Sequence, residues 1–118
     1  MTANDFRAVA LSLPESVEGA HMDHPDFRVG GKIFATLGYF DAGWGMVKLM
    51  PGQQQEFVKA EPKTFVPAKG YWGKRGATCV RLKGVKKVTL RKAMVTAWLN
   101  TAPKGLAARF ESASGIAI

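Results

Sequence analysis

The strongest constraint on the fold is a change in the period of the apolar residues along the chain. Near both ends these residues recur at the three- and four-residue spacing that is typical of amphipathic helices. Between the ends, short segments show the alternation and the turn residues that are typical of strands. The two helical stripes are Phe6, Val9, Ala10 and Leu13, and Leu90, Ala93, Met94, Ala97 and Trp98. Strands between two terminal helices predict an α+β fold, with an antiparallel sheet and both helices packed on one face.

Capping residues predict where the helices begin. Thr2 is expected to cap the first helix, and Asp5 lies three residues later, where its charge favours the helix dipole. Thr89 is expected to cap the last helix. Pro51 suits the first turn of a short helix that continues over residues 53–60. The sequence therefore predicts three helices with the strands between them, and a short helical turn is expected to follow over residues 106–110.

Turn residues predict the hairpins. The pair Gly30-Gly31 indicates a two-residue hairpin, in whose register Phe27 would face Phe34 on the neighbouring strand. Further strands are expected over residues 21–24, 46–50 and 78–82, and residues 15–19 are expected to form a connector. We expect one domain over residues 1–110 and a flexible tail over residues 111–118.

Length and composition restrict the class of protein. A chain of 118 residues is one domain, long enough to fold without a metal or a disulfide. Cys79 is the single cysteine, which excludes an internal disulfide and suits a reducing cytosol. No apolar run approaches the ~20 residues of a membrane span, and the first residues lack the apolar core of a signal peptide. We therefore expect a cytoplasmic monomer that does not associate with a membrane.

The positive charge is concentrated in the second half of the chain. Residues 1–62 carry five Lys and Arg against eight Asp and Glu, a net charge of −3. Residues 63–118 carry twelve cations against Glu111 alone, a net charge of +11. In one folded domain this asymmetry predicts a basic face, which attracts nucleic acid, acidic lipid or acidic protein. The alternative is a solvated surface with no partner.

The segment from Lys69 to Lys87 combines glycines, aromatic residues and cations. Its glycines predict a loop that visits positive φ, and this loop would carry Tyr71 and Trp72. Cations of such a loop can neutralise phosphates while its rings stack on bases. The alternative is a β-hairpin whose aromatic residues cap the sheet edge and whose lysines only maintain solubility.

The start of the last helix is a second candidate for anion binding. Arg91 and Lys92 are predicted in its first turn, where cations oppose the helix dipole at a cost of ~0.3–1 kcal/mol each. A bound anion would offset this cost, and Lys86 and Lys87 precede the same turn. The sequence therefore predicts a phosphate site here. The alternative is that water and salt screen the repulsion and nothing binds.

Residues suited to catalysis or metal binding are few. His21, Asp23, His24 and Asp26 are close in sequence, and on one strand His21 and Asp23 would share a face while His24 would point away. A metal site needs three or four converging ligands, so we expect instead a histidine that is hydrogen-bonded to a carboxylate. No nucleophilic triad, Walker motif or dinucleotide motif is visible, and Cys79 is expected to be buried and inert. The sequence predicts no metal, no cofactor and no catalytic residue.

An ordered set of short motifs resembles the MmcQ/YjbR family from about residue 4 to residue 110. The motifs are Phe27-Arg-Val-Gly-Gly-Lys-Ile-Phe-Ala-Thr-Leu37, Val47-Lys-Leu-Met-Pro51, the Gly-Trp/Lys-rich loop leading into Thr78-Cys-Val-Arg-Leu82, and Ala97-Trp98. The resemblance implies a CyaY-like two-layer α+β sandwich and DNA binding through a double wing. Gly30, Gly31 and Lys32 match one candidate wing tip, and residues 69–76 match the other. Frataxin-type iron chemistry is not implied, because it depends on an acidic first helix and Asp5 is the one acid in this helix.

The first interpretation is a small non-enzymatic domain that binds nucleic acid, in particular duplex DNA, with little base specificity. The expected contact residues are Lys32, Lys69, Tyr71, Trp72, Lys74, Arg75, Arg81, Lys83, Lys86, Lys87, Arg91 and Lys92. The cations would contact phosphate and the two rings would stack or wedge. A second interpretation is a protein-interaction module whose basic face meets an acidic partner. A third is an enzyme or small-ligand binder that uses His21, Asp23 and His24.

Overall fold

A computed structural model describes residues 1–38 and 41–114, and these residues form one six-stranded antiparallel sheet with five helices. The strands are β1 (Val17–His21), β2 (His24–Val29), β3 (Lys32–Leu37), β4 (Trp44–Lys48), β5 (Phe65–Pro67) and β6 (Ala77–Arg81). The helices are α1 (Ala3–Leu11), α2 (Pro51–Ala60), α3 (Gly70–Lys74), α4 (Lys87–Thr101) and α5 (Lys104–Ser114). The strand order is β1-β2-β3-β4-β6-β5, with every neighbouring pair antiparallel. The predicted α+β class is confirmed.

The predicted apolar core is also confirmed. All nine residues of the two helical stripes are buried in one cluster with apolar residues of the sheet, so α1 and α4 cover the same face. Trp98 is completely buried, and its Nε1 donates a hydrogen bond to the carbonyl oxygen of Pro14 at 3.2 Å. Phe110 of α5 packs against the Trp98 ring at a centroid distance of 4.9 Å. These contacts fix the position of α4, along which the candidate site lies.

The predicted cap of α1 at Thr2 is confirmed, and the Asp5 carboxylate adds a hydrogen bond that was not predicted. Asp5 donates a hydrogen bond from its backbone N–H to Thr2 Oγ1 at 3.1 Å, and the Asp5 carboxylate accepts one from the Thr2 backbone at 2.7 Å. These hydrogen bonds to the ionised form hold the pKa of Asp5 below its ordinary value. The reciprocal pair satisfies backbone donors that the first helical turn would otherwise leave unpaired.

The first hairpin lies earlier than predicted. Val17, inside the predicted connector, begins β1, and residues 21–24 form a turn rather than one strand. Met22 and Asp23 have φ of 48° and 66°, the left-handed conformation that a two-residue hairpin turn requires. His21 and His24 therefore lie opposite each other across the hairpin, and the prediction that they point apart was wrong.

The hairpin at Gly30-Gly31 is confirmed, but its register is shifted. Val29 pairs with Lys32 as a two-residue turn requires, whereas Phe27 lies opposite Ala35. An irregularity between Phe27 and Arg28 displaces the ladder by one residue. The predicted cross-strand pair of Phe27 with Phe34 was therefore wrong, because an inserted residue leaves no trace in a simple alternation of apolar positions.

Two helix boundaries differ from prediction. Helix α4 begins at Lys87 with Lys86 as its N-cap, so Thr89 lies within the first turn instead of capping it. Helix α5 continues to Ser114, four residues into the predicted tail, and residues 115–118 of that tail lie outside the described part of the chain. Within residues 1–38 and 41–114, no helix combines the length and apolar character needed to cross a bilayer.

Candidate functional site

The predicted contact residues fall into two groups at opposite ends of α4. The first group belongs to the β2–β3 hairpin and the α3 segment: Lys32, Lys69, Tyr71, Trp72, Lys74 and Arg75. The second group runs from the end of β6 to the start of α4: Arg81, Lys83, Lys86 and Lys87. The fifteen residues of α4 span about 22 Å, so the two groups cannot contact the same phosphate. Arg91 and Lys92 lie between the groups on α4.

A basic cleft forms the site at the first end, between the β2–β3 hairpin and α3. Its polar and aromatic lining residues are Arg28, Lys32, Lys48, Trp72, Arg75, Asn100 and Thr101. Two adjoining hollows make up this cleft, and both are lined by Lys48, Asn100 and Thr101. In the described part of the chain no carboxylate lines either hollow, and Lys32, Lys48 and Arg75 lie within 4.0 Å of none. The positive charge of these three side chains is therefore not neutralised locally.

Two glycines and a glutamine fix α3 beside the cleft. A Cβ on Gly73 would overlap the carbonyl oxygen of Ala68, and a Cβ on Gly76, whose φ is 112°, would overlap that of Leu49. The buried Gln54 of α2 donates from Nε2 to the carbonyl oxygen of Gly73 at 3.0 Å. Gly70 and Gly76 have the positive φ that was predicted, but a short helix and not a loop begins at Gly70, because these close backbone contacts stabilise it.

The aromatic pair on α3 remains open to solvent. Tyr71 is 64% exposed and Trp72 is 59% exposed, and their rings meet edge to face at 6.3 Å. Arg75 donates from Nη1 to Tyr71 Oη at 3.1 Å, and its guanidinium lies 5.5 Å from the centre of the Tyr71 ring. Lys48 Nζ lies 5.9 Å from the centre of the Trp72 ring. Each ring is thus paired with a cation, which places an apolar surface and a positive charge side by side.

Lys48 is held in place by the end of α4. Asn100 donates from Nδ2 to the carbonyl oxygen of Lys48 at 3.3 Å and to Gln53 Oε1 at 2.7 Å. Gln53 Oε1 also accepts a hydrogen bond from the backbone of Met50 at 2.9 Å. These bonds tie the end of β4, the start of α2 and the end of α4 together, so the centre of the cleft is preorganised.

A buried carboxylate positions Arg28 in the cleft wall. Asp26 is fully buried and accepts hydrogen bonds from Arg28 Nε at 2.8 Å and Nη2 at 3.0 Å. The expected histidine–carboxylate contact is present as well, since His21 Nδ1 lies 2.8 Å from Asp26 Oδ2. A side chain at Gly19 would crowd this cluster, because its Cβ would lie 3.0 Å from Asp26 Oδ1. The Arg28 hydrogen bonds, aided by His21, hold the pKa of Asp26 below its ordinary value against the opposing effect of burial.

The second group of cations is exposed and less constrained. Lys83, Lys86 and Lys87 are all exposed, and no side-chain hydrogen bond caps the start of α4. Because α4 begins at Lys87, Arg91 and Lys92 lie in its second turn, and the prediction that places them in the first turn was wrong. Of the four cations assigned to the anion site at the helix start, Lys86 and Lys87 are therefore the two that lie there, and the site stays a prediction.

The residues considered for metal binding or nucleophilic catalysis have structural surroundings in the described part of the chain. Among the described residues, no three His, Cys, Asp or Glu side chains are grouped so that they could hold a metal. Cys79 is buried, as expected, beside Met46 and Ala77 on the sheet face opposite the main core. Burial raises the pKa of the Cys79 thiol to about 11, so the thiol is protonated and unreactive at neutral pH.

Sequence reasoning missed four residues of the cleft: Arg28, Lys48, Asn100 and Thr101. Lys48 and Arg28 lie in strands, where alternation predicts the face of a side chain but not its neighbours from distant segments. Asn100 lies near the end of α4 and carries no local signal of its role. A weak signal existed for Lys48, since it directly precedes the Leu-Met-Pro segment that starts α2.

Comparisons with known proteins give a family match and a structural match. The YjbR family model matches residues 11–100, which is most of the chain. No curated protein matches the sequence. A crystal structure of the Deinococcus radiodurans protein DR2400, described as a DUF419 domain, superposes with a TM-score of 0.72 at 24% sequence identity. The superposition covers 98% of this chain and 89% of that chain, and it supports the α+β fold independently.

Proposed function

The chain belongs to the YjbR family, and we propose that it binds duplex DNA with little base specificity through the basic cleft. The observation that carries the proposal is the convergence of cations from separate segments on a surface that no described carboxylate lines. Lys32 comes from the hairpin, Lys48 from β4, and Arg75 from the end of α3. Such a lining attracts the phosphodiester backbone, which supplies most of the affinity in non-specific binding.

The hydrogen-bonding groups of the cleft favour backbone contacts over base readout. Reading a base edge requires an amide or guanidinium that is free to pair with it. The Asn100 amide is occupied by Lys48 and Gln53, and the guanidinium of Arg28 is occupied by Asp26. The guanidinium of Arg75 donates from Nη1 to Tyr71 Oη and lies against the Tyr71 ring. The remaining lysines act as flexible point charges with no base preference. Low sequence specificity follows from this arrangement.

The exposed rings extend the contact surface beyond the phosphates. Tyr71 and Trp72 stand beside the cations of the cleft, where a ring can stack on an unpaired base or wedge against a base step. Lys74 is exposed on the same helix and, like the three cleft cations, forms no ion pair with a described carboxylate. The proposed contact set is therefore Lys32, Lys48, Lys74 and Arg75 with the two rings.

A salt titration tests the proposal. Fluorescence anisotropy with several unrelated duplexes at ~50 and ~200 mM salt should give similar affinities for every sequence. Four phosphate contacts predict a slope of roughly −3.6 in log K against log salt. The proposal fails if the protein shows no binding at ~50 mM salt, or if binding is measurable with a slope near zero.

A further inference from the structure

A second surface, the α4 groove, runs along the solvent-facing side of α4. We use this name for the groove of about 1260 Å³ between α4, the start of α2, α5 and the hairpin tip. Its volume exceeds the ~300–1,000 Å³ of a pocket for one small molecule. The groove shares Lys32, Asn100 and Thr101 with the basic cleft but extends away from it along the helix. It therefore offers room for an elongated occupant beyond the proposed DNA contacts.

Apolar residues of α4 line this groove, and they differ in how far the protein already covers them. Val88, Val95 and Leu99 line it at positions i, i+7 and i+11 of the helix, and Met50 lies beside them. Val88 is 81% exposed and Met50 is 54% exposed. Val95 is buried in the main core and Leu99 packs against it, so these two residues form the floor of the groove. The exposed side chains of Val88 and Met50 are therefore the apolar surface that an occupant of the groove would cover.

Cations surround this apolar surface. Lys32, Arg91, Lys92 and Lys104 line the groove, and Glu111 is the one acidic residue of its described lining. Arg91 and Lys92 lie between Val88 and Val95 on the helix, so charge and apolar area alternate over about three turns. Nucleic acid would satisfy the cations and leave the apolar side chains uncovered. An amphipathic acidic helix would satisfy both.

A second copy of this chain does not offer such a helix. Within the described residues, α1, α2 and α5 contain one acidic residue each, and α3 and α4 contain none. We propose that the α4 groove binds an amphipathic helix of an acidic partner protein. The apolar stripe of that helix contacts Val88 and Met50 over the floor formed by Val95 and Leu99. Its carboxylates lie beside Arg91, Lys92 and Lys104.

Designed peptides test this proposal without knowledge of the natural partner. The probe is a fluorescein-labelled peptide of about 18 residues, with Leu at helical spacing and Glu elsewhere. One control peptide has the same composition in scrambled order, and the other replaces Glu with Lys. At ~150 mM salt the acidic amphipathic peptide should bind at least about tenfold more tightly than either control. Equal binding of the acidic and scrambled peptides, or of the acidic and basic peptides, would overturn the proposal.

Matched variants locate the binding. Val88→Ser and Lys92→Glu should each weaken binding of the acidic peptide about fivefold or more, because one removes apolar contact and the other reverses a charge. Val17→Ser and Lys63→Glu replace exposed residues of the same two types outside the groove and should leave binding unchanged. All four residues are exposed, so thermal melting should confirm that the variants fold. Unchanged binding in both groove variants would contradict the proposal.

The same variants exclude the other occupants. If Val88→Ser weakens duplex DNA binding as much as peptide binding, the groove belongs to nucleic acid and the proposal is wrong. If sedimentation shows a dimer that Val88→Ser dissociates, a second copy occupies the groove and the proposal is again wrong. Loss of DNA binding in cleft variants with intact peptide binding would leave this proposal standing, since the two surfaces are tested separately.

Discussion

The two ends of α4 carry similar numbers of cations but hold them differently. At the cleft end, Gly76 packs against the backbone of Leu49, and Asn100 ties Lys48 to neighbouring elements. At the other end, Lys83 and Lys86 flank Gly84, whose surroundings are open. A preorganised site loses less conformational entropy when it binds a ligand. Charge alone therefore does not locate a binding site. Of the two ends of α4, the cleft end is the better candidate for DNA binding, because its cations are held by more contacts.

The largest expected effect comes from the two glycines at these ends. Gly76 and Gly84 have φ of 112° and 98°, so alanine is strained at both positions. At Gly76 the added methyl group also overlaps the carbonyl oxygen of Leu49. At Gly84 the added methyl group has no heavy atom within 4 Å other than those of the adjacent residues in the chain. We expect Gly76→Ala to lower the free energy of unfolding by ~3 kcal/mol and Gly84→Ala by ~1 kcal/mol. Urea denaturation measures both, and equal losses would contradict the difference in packing.

A smaller loss of stability is expected when the wall of the cleft is weakened. Asp26→Asn removes the charge that two Arg28 hydrogen bonds and one His21 contact stabilise, so we expect a loss of ~2 kcal/mol near pH 7. The pKa of Asp26 is lowered in the folded state. Its contribution to the free energy of unfolding is therefore complete when the pH lies above the ordinary pKa of an Asp side chain, and it is lost as the pH falls through the lowered pKa. The difference in melting temperature between parent and variant should therefore begin to narrow as pH falls below about 4.

The control for this prediction is Asp23→Asn, at an exposed residue in the β1–β2 turn. Its effect should stay below ~0.5 kcal/mol at every pH, because Asn tolerates the left-handed conformation of this turn residue. A gap between the parent and Asp26→Asn that persists unchanged at pH 3 would show that shape, and not charge, makes Asp26 important.

The smallest expected effect concerns the exposed ring of Trp72. Trp72→Ala should weaken duplex binding by ~1 kcal/mol, about fivefold, at the low end of the range for base–aromatic stacking. The salt slope should not change, because stacking releases few counterions. Met22→Ala, which truncates an 87% exposed side chain in the β1–β2 turn, serves as the control and should leave affinity unchanged. A flatter slope for Trp72→Ala would show that the ring instead positions Lys48 for phosphate contact.

Sequence patterns predicted those parts of the fold that depend on residues close to one another in the chain. The capping box of Thr2 and Asp5, the turn at Gly30-Gly31 and the buried Trp98 each follow from a spacing or a residue type that the sequence displays. The displaced ladder beside Phe27 did not follow, because an irregularity in strand pairing is set by packing of the whole sheet.

The site was harder to predict than the fold. Tyr71, Trp72 and Arg75 stand in a segment whose composition marks it, and the structure places them beside the cleft. Lys48 comes from a strand with no such composition, and only the packing of α4 against β4 brings it between the hairpin and α3. A sequence can thus show which residues are unusual, but the tertiary contacts decide which of them share a surface.

The most direct test compares charge-matched variants at the two ends of α4 in a duplex DNA titration. One variant combines Lys48→Ala with Arg75→Ala at the cleft, and the other combines Lys83→Ala with Lys86→Ala at the far end. Each removes two cations, so the change in net charge is the same. If the cleft is the binding surface, the first variant should flatten the slope of log K against log salt by about two units, and the second should leave it unchanged. Equal flattening by both variants, or flattening by the far-end variant alone, would contradict binding at the cleft.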